Sequence, residues 1–213
     1  MHINELVNKS INDITFSVID TETTGMFPEH NKVMDIGIVL VKNGEIIDKW
    51  ETLIDPRQKI PYWITTFTNL RDADVAGKPI FREIAHKVNE LTNDTIFVAH
   101  NVGFDYPFIA SEMQNVGHLF EVPRICTVQL SRKLLPNLPS ANLDTLSEYF
   151  NIKISARHRA LPDAEATAVV LIELVKIASK KYGVKNFFDL ERLQRIKVDK
   201  ENLTQSFSRP TLF

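Results

Sequence analysis

The amino-acid sequence predicts an α/β domain in which a mixed five-stranded sheet is flanked by helices. Three short apolar segments follow one another near the N-terminal end, and beyond them segments of strand length alternate with helical ones. Between the second and third segments stands Asn43-Gly44, the signature of a tight hairpin, so those two strands turn directly back on each other.

The elements read in order. Ile14–Asp20 is a β-branched apolar run and the first strand; Val33–Val41 and Glu45–Ile54 flank the Lys42-Asn43-Gly44-Glu45 turn. A Pro-containing loop follows. Pro79–Leu91 reads as a helix, Thr95–Ala99 as a strand, Phe104–Asn115 as a helix and Arg124–Thr127 as the last strand. Helices are expected near Val128–Leu134 and Leu143–Phe150, and a long one from Pro162 to Lys181. Proline is well placed at a first helical position, where its missing N–H costs nothing, and Ala164–Ala178 is apolar enough to be buried. After Gly183 the character changes. Asn186–Ile196 is expected to form a short helix, with Phe187, Phe188, Leu190 and Leu193 available to pack on the body, and Lys197–Phe213 reads as a polar, mobile tail. The expected organisation is a domain over 1–183 and a C-terminal helix and tail over 184–213.

Composition sets limits. Of 213 residues, 44% are hydrophobic and 24% charged, which gives no sign of disorder in the body. No apolar run approaches a membrane span, and Met1–Asp13 lacks the apolar core of a secretory signal. The single cysteine, Cys126, excludes an intramolecular disulfide and reads as a small buried side chain, compatible with a reducing cytosol; a cytoplasmic location is expected.

Three segments carry chemistry. In Asp20-Thr21-Glu22-Thr23-Thr24-Gly25 two carboxylates lie at i and i+2, and a strand projects such a pair from one face. His100-Asn101-Val102-Gly103-Phe104-Asp105 runs from a strand end into another acid. His158-Arg159-Ala160-Leu161-Pro162-Asp163-Ala164 places an imidazole five residues before a carboxylate that falls in the first turn of the long helix, where the helix dipole favours an anion. Strand-end acids fit the rule that α/β sheets bind ligands beyond the carboxyl ends of their strands. Four clustered carboxylates repel one another without a cation, and all-oxygen clusters suit Mg2+ or Mn2+. A fixed anion beside an imidazole is what metal-assisted hydrolysis requires.

On these three motifs, from about Ile14 to Tyr182, the chain resembles the DEDDh branch of the DnaQ-like 3′–5′ exonucleases. The group includes the proofreading epsilon subunit of bacterial DNA polymerase III and the exonuclease domain of Gram-positive replicative polymerases. Ile64–Asp72 is similar to the family's Thr-Gly-Ile-Thr loop, with Asn69 in place of the glycine and Arg71 in place of a threonine; Asn is tolerable there because it visits positive φ more readily than most residues. The resemblance implies a ribonuclease H-like fold, and two divalent ions, Mg2+ or Mn2+, held by Asp20, Glu22, Asp105 and Asp163. Asp20 would be shared between the ions, Glu22 would serve the nucleophile side and reach the substrate 3′-OH, and His158 would be the general base. The reaction implied is release of nucleoside 5′-monophosphates from a 3′ end.

Individual residues keep second readings. Asp105 and Asp163, taken singly, also suit helix caps, and Asp163 can serve both roles. His100 reads as a structural hydrogen-bonder, and His2, His30, His86 and His118 as exposed loop histidines. The turn at Thr23, Thr24 and Gly25 offers backbone donors to a nucleotide, and Asn101 either positions a phosphate or orders its loop. Phe67, Phe104 and Phe27 are candidates to stack on bases or to fill the core; for Phe27 surface exposure is favoured. A net charge of −2 lacks the basic footprint usual for nucleic-acid binding. Bound metals would neutralise the acids, and a protein gripping a strand end needs few phosphate contacts. The partners expected are DNA 3′ ends, single-stranded or frayed, a DNA polymerase subunit on a separate chain and, through Gln205–Phe213, a sliding clamp. No membrane partner is expected. Two alternatives stay open: an exoribonuclease trimming RNA ends, and a non-catalytic strand-binding module.

Overall fold

The computed structural model describes residues 9–195; the predicted tail and the Gln205–Phe213 segment lie outside the described residues, as does His2. Five strands form one sheet: β1 Thr15–Thr23, β2 Val33–Lys42, β3 Glu45–Leu53, β4 Ile96–Ala99 and β5 Arg124–Cys126, in the order β3-β2-β1-β4-β5. β1, β2 and β3 pair antiparallel, whereas β4 pairs parallel with both β1 and β5, giving the mixed sheet the sequence predicts. The hairpin turns on Asn43 and Gly44, at φ 52° and 74°, the paired positive angles such a turn demands.

Eight helices complete the described residues: α1 Tyr62–Thr68, α2 Asp72–Val75, α3 Phe81–Thr92, α4 Val102–Asn115, α5 Thr127–Leu134, α6 Leu143–Tyr149, α7 Ala160–Tyr182 and α8 Phe187–Arg195. The strand period of two sorts side chains onto two faces. Phe16, Val18, Val39, Val41, Ile96 and Val98 pack with α5 to α8. Ile19, Ile36, Ile38, Phe97 and Ala99 pack with α3 and α4 on the other face. No helix among the described residues is long and apolar enough to cross a membrane.

Several boundaries differ from the sequence reading, each for a tertiary reason. β1 continues three residues past Asp20, because β2 goes on pairing with it as far as Thr23. The Pro-containing loop holds α1 and α2. The segment Tyr62-Trp63-Ile64-Thr65-Thr66-Phe67-Thr68 has poor intrinsic helix propensity, yet Ile64 and Thr68, one turn apart, are both buried and anchor it. It ends at Asn69, which adopts φ 61° as expected and returns its N–H to Thr65 O. Phe188 is 59% exposed, unlike Phe187, Leu190 and Leu193, which pack on the body as predicted. His30 and His118 are exposed, and so is His86, but on α3 rather than a loop. Cys126 is buried in β5.

α7 begins at Ala160, two residues before the predicted Pro162. Proline is still tolerated, because the first four helical N–H groups have no intrahelical acceptor. The start is set from across the fold. Asp35 of β2 accepts hydrogen bonds from the Ala160 N–H (3.3 Å) and from Arg159 Nε (2.9 Å). The same strand lets the helix come close: a Cβ on Gly37 would lie 2.5 Å from both the backbone N and Cα of Leu161. Gly37 is the register partner of Asp20, so the absent side chain brings the start of α7 down beside the first acid.

Candidate active site

The acids converge on the end of β1 from both sides of the sheet. Asp20 and Glu22 continue the Phe16 and Val18 face, toward α7, where Asp163 occupies the fourth helical position. Asp105 occupies the fourth position of α4, across the sheet. β4 pairs with β1 only as far as Val18, opposite Val98, so beyond it the Thr21 N–H has no strand to bond. Asp105 Oδ1 takes that place, accepting from Thr21 N (3.0 Å) and Thr21 Oγ1 (2.8 Å). The N-cap of α4 is Asn101, at φ 79°, so Asp105 is not the cap. Asp163 does contribute at its helix start: Oδ2 accepts from the His158 N–H at 3.1 Å.

His158 sits on the loop before α7 at φ 59°, with its ring against Phe67 at a centroid distance of 3.9 Å. Ligand atoms of Glu22, His158 and Asp163 all lie within 4.8 Å of one another. These residues, with Asp20, Asp105, Thr23, Gly25, Asn101, Phe67 and Phe104, line one cleft of about 530 Å³. A larger cavity of about 710 Å³, between α7 and the β2–β3 turn, holds none of the acids.

Two predicted contact residues are elsewhere. Thr24 is fully buried, donates its N–H to Lys32 O and its hydroxyl to Gln58, and does not line the cleft; of the predicted turn donors, its N–H is already committed. Phe27 is exposed, as expected, but also outside the cleft. Phe104 satisfies both of its readings, packing on Phe108 while lining the cleft wall. His100 bonds Thr127 Oγ1 through Nδ1 (2.9 Å), and burial pulls its pKa down to about 4, so it is a neutral hydrogen-bonder.

The electrostatics are those of a pocket short of positive charge. Burial, then the charges of Asp105, Glu22 and Asp163, push Asp20 well above the usual carboxylate range. Burial and the neighbouring Asp163 and Asp35 raise Glu22 to about 8, and burial raises Asp105 to about 7 against the opposing hydrogen bonds from Thr21. Asp163 is raised by burial too, and its Oδ1 is buried without a hydrogen-bond partner. A divalent cation suits these residues: it would claim the orphaned oxygen and allow the buried acids to ionise. Exonucleases of this kind use divalent metals.

Sequence reasoning missed Arg157. Its guanidinium bonds Asp163 Oδ2 and also Asp144, 2.6 Å from Nε to Oδ1. Its position next to His158 was the available signal. Trp63 and Met26 also line the cleft while largely exposed; Trp63 was hidden because a loop was expected over the segment that forms α1, and Met26 directly follows the first acidic motif. Arg71 bonds Asp74 and does not line the cleft.

Comparisons with known proteins identify the family and the fold. The family model RNase T, described as an exonuclease, matches residues 17–171. The PolC-type DNA polymerase III of Clostridium perfringens is 37% identical over 169 residues, which are 79% of this chain but 11% of that protein. The chain thus spans 11–12% of the length of the first PolC-type relatives it matches. DNA polymerase III subunit epsilon of Aquifex aeolicus is 36% identical over 184 residues, 86% of this chain and 91% of the relative. Among solved structures, exonuclease X in complex with 5′-overhanging duplex DNA superposes with a TM-score of 0.65 at 26% identity, over 84% of this chain and 99% of that one. Exonuclease I of E. coli with a dT13 oligonucleotide gives 0.71 at 16% identity, over 80% and 43%, a likeness of fold.

Proposed function

This chain belongs to the RNase T exonuclease family, the DnaQ-like exonucleases, and from that premise we propose that it is a metal-dependent 3′–5′ DNA exonuclease of the DEDDh type, working in proofreading or repair. The observation that carries the reading is the meeting of Glu22, His158 and Asp163 within 4.8 Å, in a cleft that Asp20 and Asp105 also line.

Asp20, Glu22, Asp105 and Asp163 are the residues to hold two divalent cations, Mg2+ or Mn2+, which when bound would neutralise the pocket and acidify a water nucleophile. His158 acts as general base and takes the proton of the water that attacks the terminal phosphodiester. Its backbone bond to Asp163 and the Phe67 ring beneath it hold the imidazole over the acids. Phe67 and Phe104 offer faces to the terminal bases, Asn101 stands where a phosphate would lie, and Thr23 and Gly25 form the wall behind. The attack cleaves the P–O bond to the penultimate 3′ oxygen, which leaves with a proton, so the product is a nucleoside 5′-monophosphate.

DNA is favoured over RNA by the relatives: two are named as DNA polymerase III proteins, and exonuclease X, at 26% identity, is in complex with duplex DNA. The coverage of the epsilon subunit favours a polymerase partner and a cytoplasmic setting. Deleting Gln205–Phe213 and measuring clamp association tests the clamp reading separately. The deciding experiment follows 3′- and 5′-labelled DNA and RNA oligomers with and without Mg2+ or Mn2+. Mononucleotides are expected from DNA 3′ ends only when metal is present. His158→Ala should lower turnover by about 10²–10⁴-fold while leaving metal binding largely intact. No release with either metal, or an unaffected variant, overturns the proposal; equal or faster release from RNA reassigns the substrate.

A further inference from the structure

Arg157 is the only Lys or Arg among the described residues that line the acidic cleft. Its planar fork is held from two sides. Nε and Nη2 face the Asp144 carboxylate, at 2.6 and 3.4 Å, while Nη1 reaches inward to Asp163 Oδ2. Asp144 lies in the first turn of α6 with its side chain 66% exposed, so one edge of the guanidinium is tethered at the rim and the other projects into the cleft. The inner contact is the replaceable one. Asp163 Oδ2 also accepts the His158 N–H, and a cation drawn to Asp163 competes with Nη1 for that carboxylate.

We propose that Arg157 is a substrate-binding residue whose Nη1 passes from Asp163 to a phosphate oxygen of the bound DNA strand once cations occupy the carboxylates. The inference deepens the exonuclease reading and stands on it. A guanidinium N–H displaced from a carboxylate needs another oxyanion, and a phosphate oxygen supplies one in a charge-assisted hydrogen bond. The Asp144 tether keeps the fork in place meanwhile, so little rotamer freedom is lost when the strand arrives. Without metal, the same side chain keeps a buried acid paired.

The test measures binding as well as turnover. Anisotropy of a short 5′-labelled oligothymidylate in Mg2+, in the His158→Ala background, gives Kd at about 50 mM and about 200 mM salt. Arg157→Ala should raise Kd about tenfold at the lower salt. Loss of one phosphate contact flattens the salt dependence by about 0.7 in log–log slope, so the variant-to-parent ratio should shrink by about 2.5-fold at the higher salt. Arg157→Lys should keep the parent's slope and recover part of the affinity. Arg157→Gln serves as the neutral variant if alanine impairs folding. An unchanged Kd and slope in the neutral variant, with only metal affinity reduced, overturns the inference and leaves Arg157 as a brace for Asp163. A parent chain that releases no nucleotide from DNA removes the exonuclease reading itself, and the inference with it.

Discussion

Glu22 provides the most direct test of the electrostatics, because its burial makes a prediction whose sign is opposite to that of an ordinary ion-paired acid. Its pKa stands at about 8 in the folded, metal-free chain against an ordinary 4.5, through burial first and the Asp163 and Asp35 charges next. Between those values the folded chain keeps a proton that the unfolded chain has released, so stability is complete below about pH 4.5 and is lost as pH rises through about 8. The slope is about 1.4 kcal/mol per pH unit and the full loss about 5 kcal/mol. For a domain of this size that corresponds to roughly 3–6 °C of melting temperature per pH unit. In EDTA, Glu22→Gln should therefore melt close to the parent near pH 4.5 and progressively above it toward pH 8, with a shallower decline. Saturating Mg2+ should stabilise the parent more at high pH than at low, since the ligands must ionise to bind. Calorimetry from about pH 4.5 to 8.5, with EDTA or Mg2+, measures both. A parent whose melting temperature rises with pH in EDTA, or two curves that run parallel, would refute the account of an acid pocket awaiting cations.

Three further outcomes follow from the packing around the cleft. Asp35→Ala removes the acceptor of both Arg159 Nε and the first N–H of α7. With Arg159 partly exposed, chemical denaturation should show a loss of about 2–4 kcal/mol, and a stability within about 0.5 kcal/mol of the parent would contradict the capping role. Gly37→Ala should cost about 1–3 kcal/mol, since the atoms its Cβ meets are the backbone of Leu161. It should also weaken metal affinity by displacing Asp163, which isothermal titration can detect; unaltered affinity would detach the helix from the site. Phe67→Ala, which takes away the ring beneath His158, should raise KM for single-stranded DNA and lower kcat by about tenfold or more. A change in KM alone would limit Phe67 to base stacking.

The inner strands were legible because a sheet covered on both faces demands near-continuous apolar, β-branched runs, as in β1, β2 and β4, and the hairpin because Asn43 and Gly44 adopt angles few other residues tolerate. The long helix announced itself by composition. The features that escaped reading depend on partners distant in sequence. Asp35 looks like an ordinary strand acid until it meets the start of α7, and the two extra residues of that helix depend on it. α1 is helical against its own propensity because Ile64 and Thr68 find a core. Thr24 sits in a motif that suggests contact with substrate, yet its polar groups are spent on Lys32 and Gln58. Arg157 was visible as a letter, but its two carboxylates come from α6 and α7, and only folding brings them together.

The Thr21 amide, bonded to a carboxylate beyond the point where β4 stops pairing with β1, gives the molecule a natural reporter. Any ligand that draws electron density from Asp105 must loosen its hold on that single proton. Proton–deuterium replacement at one peptide group, followed by NMR, would thus sense events in the cleft without a label, a dye or a turnover assay.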